Sequence, residues 1–120
     1  MPIVGDYAIL SDVNFFIGSE KGHGVKTIDF NLPDMPHDGS RSILMFNIRL
    51  VDPDDFELEI FLNHHKAYKA IFQQERYMTM HEVLPKGLLK ENSNFISFGM
   101  LGDGTARIGD VVLLYQRAVP

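Results

Sequence analysis

The stretch Leu84–Arg117, LPKGLLKENSNFISFGMLGDGTARIGDVVLLYQR, decides how the rest of the chain is read. Phe95-Ile96-Ser97-Phe98 and Val111-Val112-Leu113-Leu114-Tyr115 are rich in the β-branched and aromatic residues that suit a pleated surface. Between them, Gly102-Asp103-Gly104 supplies residues that accept the positive φ of a tight reversal. The stretch therefore predicts a turn, a strand, a Gly-rich hairpin and a final strand. After Pro85, Lys86–Lys90 has room for one helical turn and no more.

Working back towards the N-terminus, the same period of two recurs. In Ser42–Val51 (SILMFNIRLV), Leu44, Phe46, Ile48 and Leu50 share one face, and Met45, Asn47, Arg49 and Val51 the other. In Phe56–Asn63, Phe56, Leu58, Ile60 and Leu62 point inward, and Glu57, Glu59 and Phe61 outward. Asp52-Pro53-Asp54-Asp55 is a turn by composition, so these two strands are expected to pair antiparallel. Asn63-His64-His65-Lys66 reads as a second tight turn. Ala67–Phe72 and Arg76–Val83 are further extended segments, interrupted at Gln73-Gln74-Glu75. In the first third, Ala8–Ile17 ends in a β-rich run at Val13, and Gly18–Gly24 is a loop. Val25–Asn31 alternates until Pro33, which has no N–H for a ladder. Apolar spacing is two in every long segment, which excludes helices of normal length. Seven or eight short strands predict an all-β antiparallel two-sheet sandwich, with residues 1–120 as a single domain.

The order of parts from Ser42 to Arg117 resembles the galactose-binding-domain-like jelly-roll β-sandwiches, to which many carbohydrate-binding modules belong. Three passages carry the resemblance. Phe56–Asn63 looks like that family's strand ending in Asn-Gly, with His64 in place of the glycine. Val83–Ile96, through Leu88-Leu89-Lys90 and Asn94, looks like its passage from a proline turn into a core strand. Ala106–Leu113, with Asp110, looks like its closing strand. The resemblance implies a non-catalytic ligand-binding module, most often for carbohydrate. It also implies a role for Asp110 in a structural calcium site, although the N-terminal carboxylates Asp6, Asp12, Glu20 and Asp29 are scattered rather than paired.

The residues themselves bound the function further. The 120-residue chain has 16 Asp and Glu against 11 Lys and Arg, a net charge of −5, and no run of basic residues. That balance disfavours nucleic acid as a partner. There is no cysteine, hence no disulfide and no thiolate metal site. No signal peptide is visible at the N-terminus, and no apolar run reaches the roughly 20 residues that span a bilayer, so a soluble protein of unassigned compartment is expected. Nucleophile-elbow, zincin, P-loop and dinucleotide motifs are all missing. Glu57 and Glu59 share one strand face, the ordinary pattern of a solvated strand, so no enzyme activity is expected; the alternative, a small hydrolase, requires a deep pocket where carboxylates and a histidine converge.

Sugar recognition needs exposed flat rings and nearby polar groups. The chain has no tryptophan, which leaves Tyr68, Tyr77, Phe61 and Phe72. The candidate ligand-binding residues are Asn63, His64, His65, Tyr68 and Tyr77, with Asp110 as candidate metal ligand. The His64–His65 doublet chelates a metal only within a turn. The alternative function is a structural or assembly subunit of a homo-oligomer or larger complex, with no small-molecule ligand, suggested by apolar residues on both faces of the Ser42–Val51 and Phe56–Asn63 strands.

Overall fold

The computed structural model describes residues 3–18, 24–52, 56–72, 77–101 and 104–118. Among these it has nine strands and no helix: β1 (Ile3–Ser11), β2 (Phe15–Gly18), β3 (Val25–Phe30), β4 (Ile43–Asp52), β5 (Phe56–Leu62), β6 (His65–Phe72), β7 (Tyr77–Val83), β8 (Asn94–Leu101) and β9 (Thr105–Ala118). They form an antiparallel jelly-roll β-sandwich. One sheet, here sheet A, runs β1-β9-β4-β7, with β2 also on β9; the other, sheet B, runs β3-β8-β5-β6.

The inward faces follow the alternation. Leu44, Phe46, Ile48 and Leu50 of β4 and Leu58, Ile60 and Leu62 of β5 are buried, together with Ile96 and Phe98 of β8 and Ile108, Val111 and Leu113 of β9. Burial of each such side chain contributes about 1.5–3 kcal/mol before chain entropy is set against it. The Phe98 ring meets Phe46 and Phe15 edge-on, at centroid distances of 5.7 and 5.5 Å.

Two expected pairings are corrected. β4 and β5 do not pair: β4 lies between β9 and β7, and β5 between β8 and β6. Nor do β8 and β9 form a hairpin, since β8 joins β3 and β5 while β9 joins β1, β2 and β4. In both cases the chain passes from one sheet to the other. Alternation assigns each strand an inner face, and that face meets the opposite layer equally well from either sheet. The turns expected at residues 53–55, 73–75 and 102–103, and most of the loop at 18–24, lie outside the described residues. At Lys86–Lys90 the structure has a turn with Gly87 at φ 75°, not a helical turn. The N-terminal third also differs from expectation. β1 begins at Ile3, and a break at residues 12–14 separates it from β2, so both lie end to end along β9.

β9 is bent by an extra residue. Met45 is opposite Val112 but Asn47 is opposite Gly109, so three steps on β9 match two on β4. Ile108 and Val111 both face the core, and Gly109 and Asp110 are displaced outward between them. Such bulges re-aim side chains. Asp110 takes φ 50°, a left-handed conformation that aspartate tolerates. At Gly109, a Cβ would run into the amide oxygen of Asn14, so glycine admits the Asn14 side chain against the bulge.

Candidate ligand-binding face

The five candidate ligand residues do not converge. Asn63 is only 5% exposed and its amide is fully engaged. Its Nδ2 donates to the Leu88 carbonyl at 2.7 Å and to Asn94 Oδ1 at 2.9 Å, and its Oδ1 accepts from the Phe95 N–H at 2.8 Å. Asn94, also buried, clamps Lys90 through both backbone groups. Two of the passages that carry the family resemblance thus meet as one buried polar node, and Asn63 serves the fold. Asn63 and His64 have φ of 49° and 71°, the signature of a two-residue hairpin turn that favours Asn-Gly. The His64 ring sits edge-on to Phe95 at 4.6 Å. His65 begins β6 and is exposed.

Tyr68 lies half-buried, packed against the core, on the far side of β6 from solvent. Burial, then the Glu82 carboxylate of β7, pushes its phenol up to about 12. Tyr77, by contrast, is 59% exposed on the outer face of sheet A. Asp110 stands on the same face, so of the candidates these two are brought onto one surface.

That surface is built in registered rows. Asn47 Nδ2 donates to Asp110 Oδ2 at 2.7 Å, and Thr79 Oγ1 donates to Asn47 Oδ1 at 2.8 Å. This polar row crosses β9, β4 and β7. The next row contains Phe16, Arg107, Arg49 and Tyr77, each directly opposite its neighbour across β2, β9, β4 and β7. Strand spacing makes that row about 14 Å long. Both end rings are exposed, Phe16 by 50%. Towards the other end the same face is apolar. Tyr7, Leu114, Ile43 and Val83 form one row, and Ile9, Val112 and Met45 lead to His81 in another. A shallow depression of about 410 Å³ opens there, lined by Gly5, Tyr7, Ile43, Leu114, Tyr115 and Gln116 with the charged Asp6 and Arg41.

Calcium does not fit Asp110 as placed. A hard cation needs six to eight oxygens. One Asp110 oxygen already accepts an amide N–H, and no group of three His, Asp or Glu that could hold a metal exists among the described residues.

Phe16, Asn47, Arg49, Thr79 and Arg107 were not singled out from sequence. The available signal was Asn47 and Arg49 at spacing two on the outward face of an otherwise apolar strand. Their partners on β9 and β2 come only from the register.

This two-sheet antiparallel β-sandwich is a fold that solved carbohydrate-binding modules share. No protein-family model matches the sequence, and no curated protein matches it. Among solved structures, a family 35 carbohydrate-binding module from an environmental isolate matches with a TM-score of 0.55, at 14% identity over 100% of both chains. A family 29 carbohydrate-binding module matches at 0.59, with 11% identity over 91% of this chain and 88% of that one. Dimeric latent PorU from Porphyromonas gingivalis matches at 0.71, with 12% identity over 98% of this chain. The chain spans only 13% of the length of that protein. At these identities the likeness is one of fold.

Proposed function

We propose that this chain is a non-catalytic module that binds carbohydrate on the outer face of sheet A. The observation that carries the reading is the coincidence, on one flat surface, of exposed rings (Phe16, Tyr77) with a hydrogen-bonded polar row (Asp110, Asn47, Thr79). A ring face packs against the C–H face of a pyranose, while amide, hydroxyl and carboxylate groups exchange hydrogen bonds with its hydroxyls. The full-length likeness to two carbohydrate-binding modules supports the reading. Affinity electrophoresis and calorimetry over a broad polysaccharide panel test it. Binding that Tyr77→Ala abolishes supports it; silence across the panel removes it.

The apolar half of the same face favours a second reading, a structural or assembly module. Tyr7 and Ile9 are each 61% exposed and stand beside Leu114, Val112, Ile43 and Met45. Exposed apolar surface of this kind is found at protein contacts. Light scattering decides it: an oligomer that Tyr7→Lys dissociates supports this reading, and a monomer at high concentration argues against it.

A further inference from the structure

We infer that the ligand of this face is an acidic saccharide, one bearing carboxylate or sulfate groups, and that Arg49 and Arg107 together hold its anionic group. The inference rests on the carbohydrate-binding reading above and adds the chemistry of the sugar.

Among the described residues the strands carry six basic side chains: Lys26, Arg49, Lys66, Lys69, Arg107 and Arg117. Four of them are engaged. Lys66 meets Glu59 at 2.8 Å and Lys69 meets Glu57 at 2.7 Å, while Arg117 meets Asp6 at 3.1 Å and Asp34 at 3.5 Å. Lys26 lies 5.8 Å from the Phe15 ring centroid. The remaining two, Arg49 and Arg107, form no ion pair with any carboxylate whose side chain the structure describes, and they are each other's cross-strand partner.

Directly opposed side chains on one sheet face have Cβ atoms about 4.5–5.5 Å apart, and like charges so placed destabilise the sheet. In a chain of net charge −5, such a pair is not the product of a generally basic surface. Asp110, on the same face, is turned to Asn47 instead. Two guanidinium forks side by side offer parallel N–H donors to one planar or tetrahedral anion, the geometry in which arginine excels. A bound anion would also cancel the repulsion between them. The flanking groups match the rest of such a ligand. Phe16 beside Arg107 and Tyr77 beside Arg49 supply apolar platforms at both ends of the row. The Asp110–Asn47–Thr79 row, adjacent along the strands, meets hydroxyls.

The test compares polygalacturonate (carboxylate) and dextran sulfate (sulfate) with neutral dextran and neutral galactan. Affinity is measured for the unaltered protein and for Arg49→Gln, Arg107→Gln and Lys66→Gln. Lys66→Gln removes one positive charge on sheet B and controls for general charge attraction. The expected result is binding to one or both acidic polymers, weakened about tenfold or more by either arginine change and not by Lys66→Gln. Preference between the two acidic polymers tells which anion is used. Both arginines lie on the solvent side of the sheet, and an unchanged thermal midpoint verifies that the variants fold. Binding to the neutral polymers alone, with the arginine variants unaffected, would overturn this inference while leaving the carbohydrate reading intact. Equal weakening by all three substitutions would reduce the effect to bulk charge and overturn it as well. No binding to any of the four polymers, together with silence across the broad panel, would remove both readings.

Discussion

The two outer faces of the sandwich treat charge in opposite ways. On sheet B, Glu57 and Glu59 of β5 are matched by Lys69 and Lys66 of β6, and Thr27 and Ser97 hydrogen-bond across β3 and β8 at 3.0 Å. Those charges and hydroxyls are matched across neighbouring strands. On sheet A, two arginines face each other, one half is apolar, and the polar row has spare hydrogen-bonding capacity. A surface that satisfies itself needs only water. A surface that leaves opposed like charges beside exposed rings gives up some stability, which is the mark of a surface adapted to something other than folding.

Substitutions can separate residues that hold the fold from residues that wait for a partner. The largest effect is expected at the hairpin end of sheet B. Asn63→Ala would strip partners from the Leu88 carbonyl, Asn94 and the Phe95 N–H, and should cost about 3 kcal/mol in chemical denaturation. Gly109→Ala on sheet A should cost about 1 kcal/mol, because the neighbour to be displaced is the end of the Asn14 side chain rather than backbone. Asn14→Gly in the same chain should recover most of that loss. Smaller still, Arg49→Glu would replace a repulsive pair with an attractive one and should raise stability by about 0.5 kcal/mol. A loss of stability from that change would break the comparison, since Arg49 would then be serving the fold.

The smallest effect is confined to high pH. The Tyr68 phenol is pushed up to about 12, from an ordinary value of 10.0, first by burial and then by Glu82. The folded state therefore favours the neutral phenol. Its contribution is complete below pH 10 and is lost as pH rises from 10 towards 12. Denaturation midpoints measured across that window should fall more steeply for the unaltered protein than for Tyr68→Phe. Tyr77→Ala, on the exposed row, should move the midpoint far less than Asn63→Ala does.

Much of the architecture was legible from alternation alone. Leu44, Phe46, Ile48 and Leu50, and Leu58, Ile60 and Leu62, are buried as their period of two requires. The hairpin turn at Asn63-His64 was legible from turn chemistry. Which strand lies beside which was not, because adjacency depends on whether a connection stays within a sheet or crosses to the other, and a short polar loop permits both. The same ignorance hid the candidate site. Arg49 and Arg107 are 58 positions apart in sequence, and nothing local marks them as partners. The five residues suggested as ligand contacts followed turns and aromatic content, and the register scattered them: Asn63 to a buried node, Tyr68 inward against the core, Tyr77 to the outer face. The bulge that aims Asp110 outward was written as Gly109-Asp110, a pair that reads as a strand start when the residue opposite is unknown.

β9 also sets the order in which the molecule can be assembled. Among the described residues it is the sole ladder partner of β1 and β2 and one of two for β4. During synthesis these three strands emerge long before residues 105–118 exist, and until then their hydrogen-bonding edges are open. A chain cut short before Thr105 would keep the strands of sheet B and the β4–β7 pair but would leave β1 and β2 unmatched and one edge of β4 open, the state from which intermolecular pairing and aggregation begin.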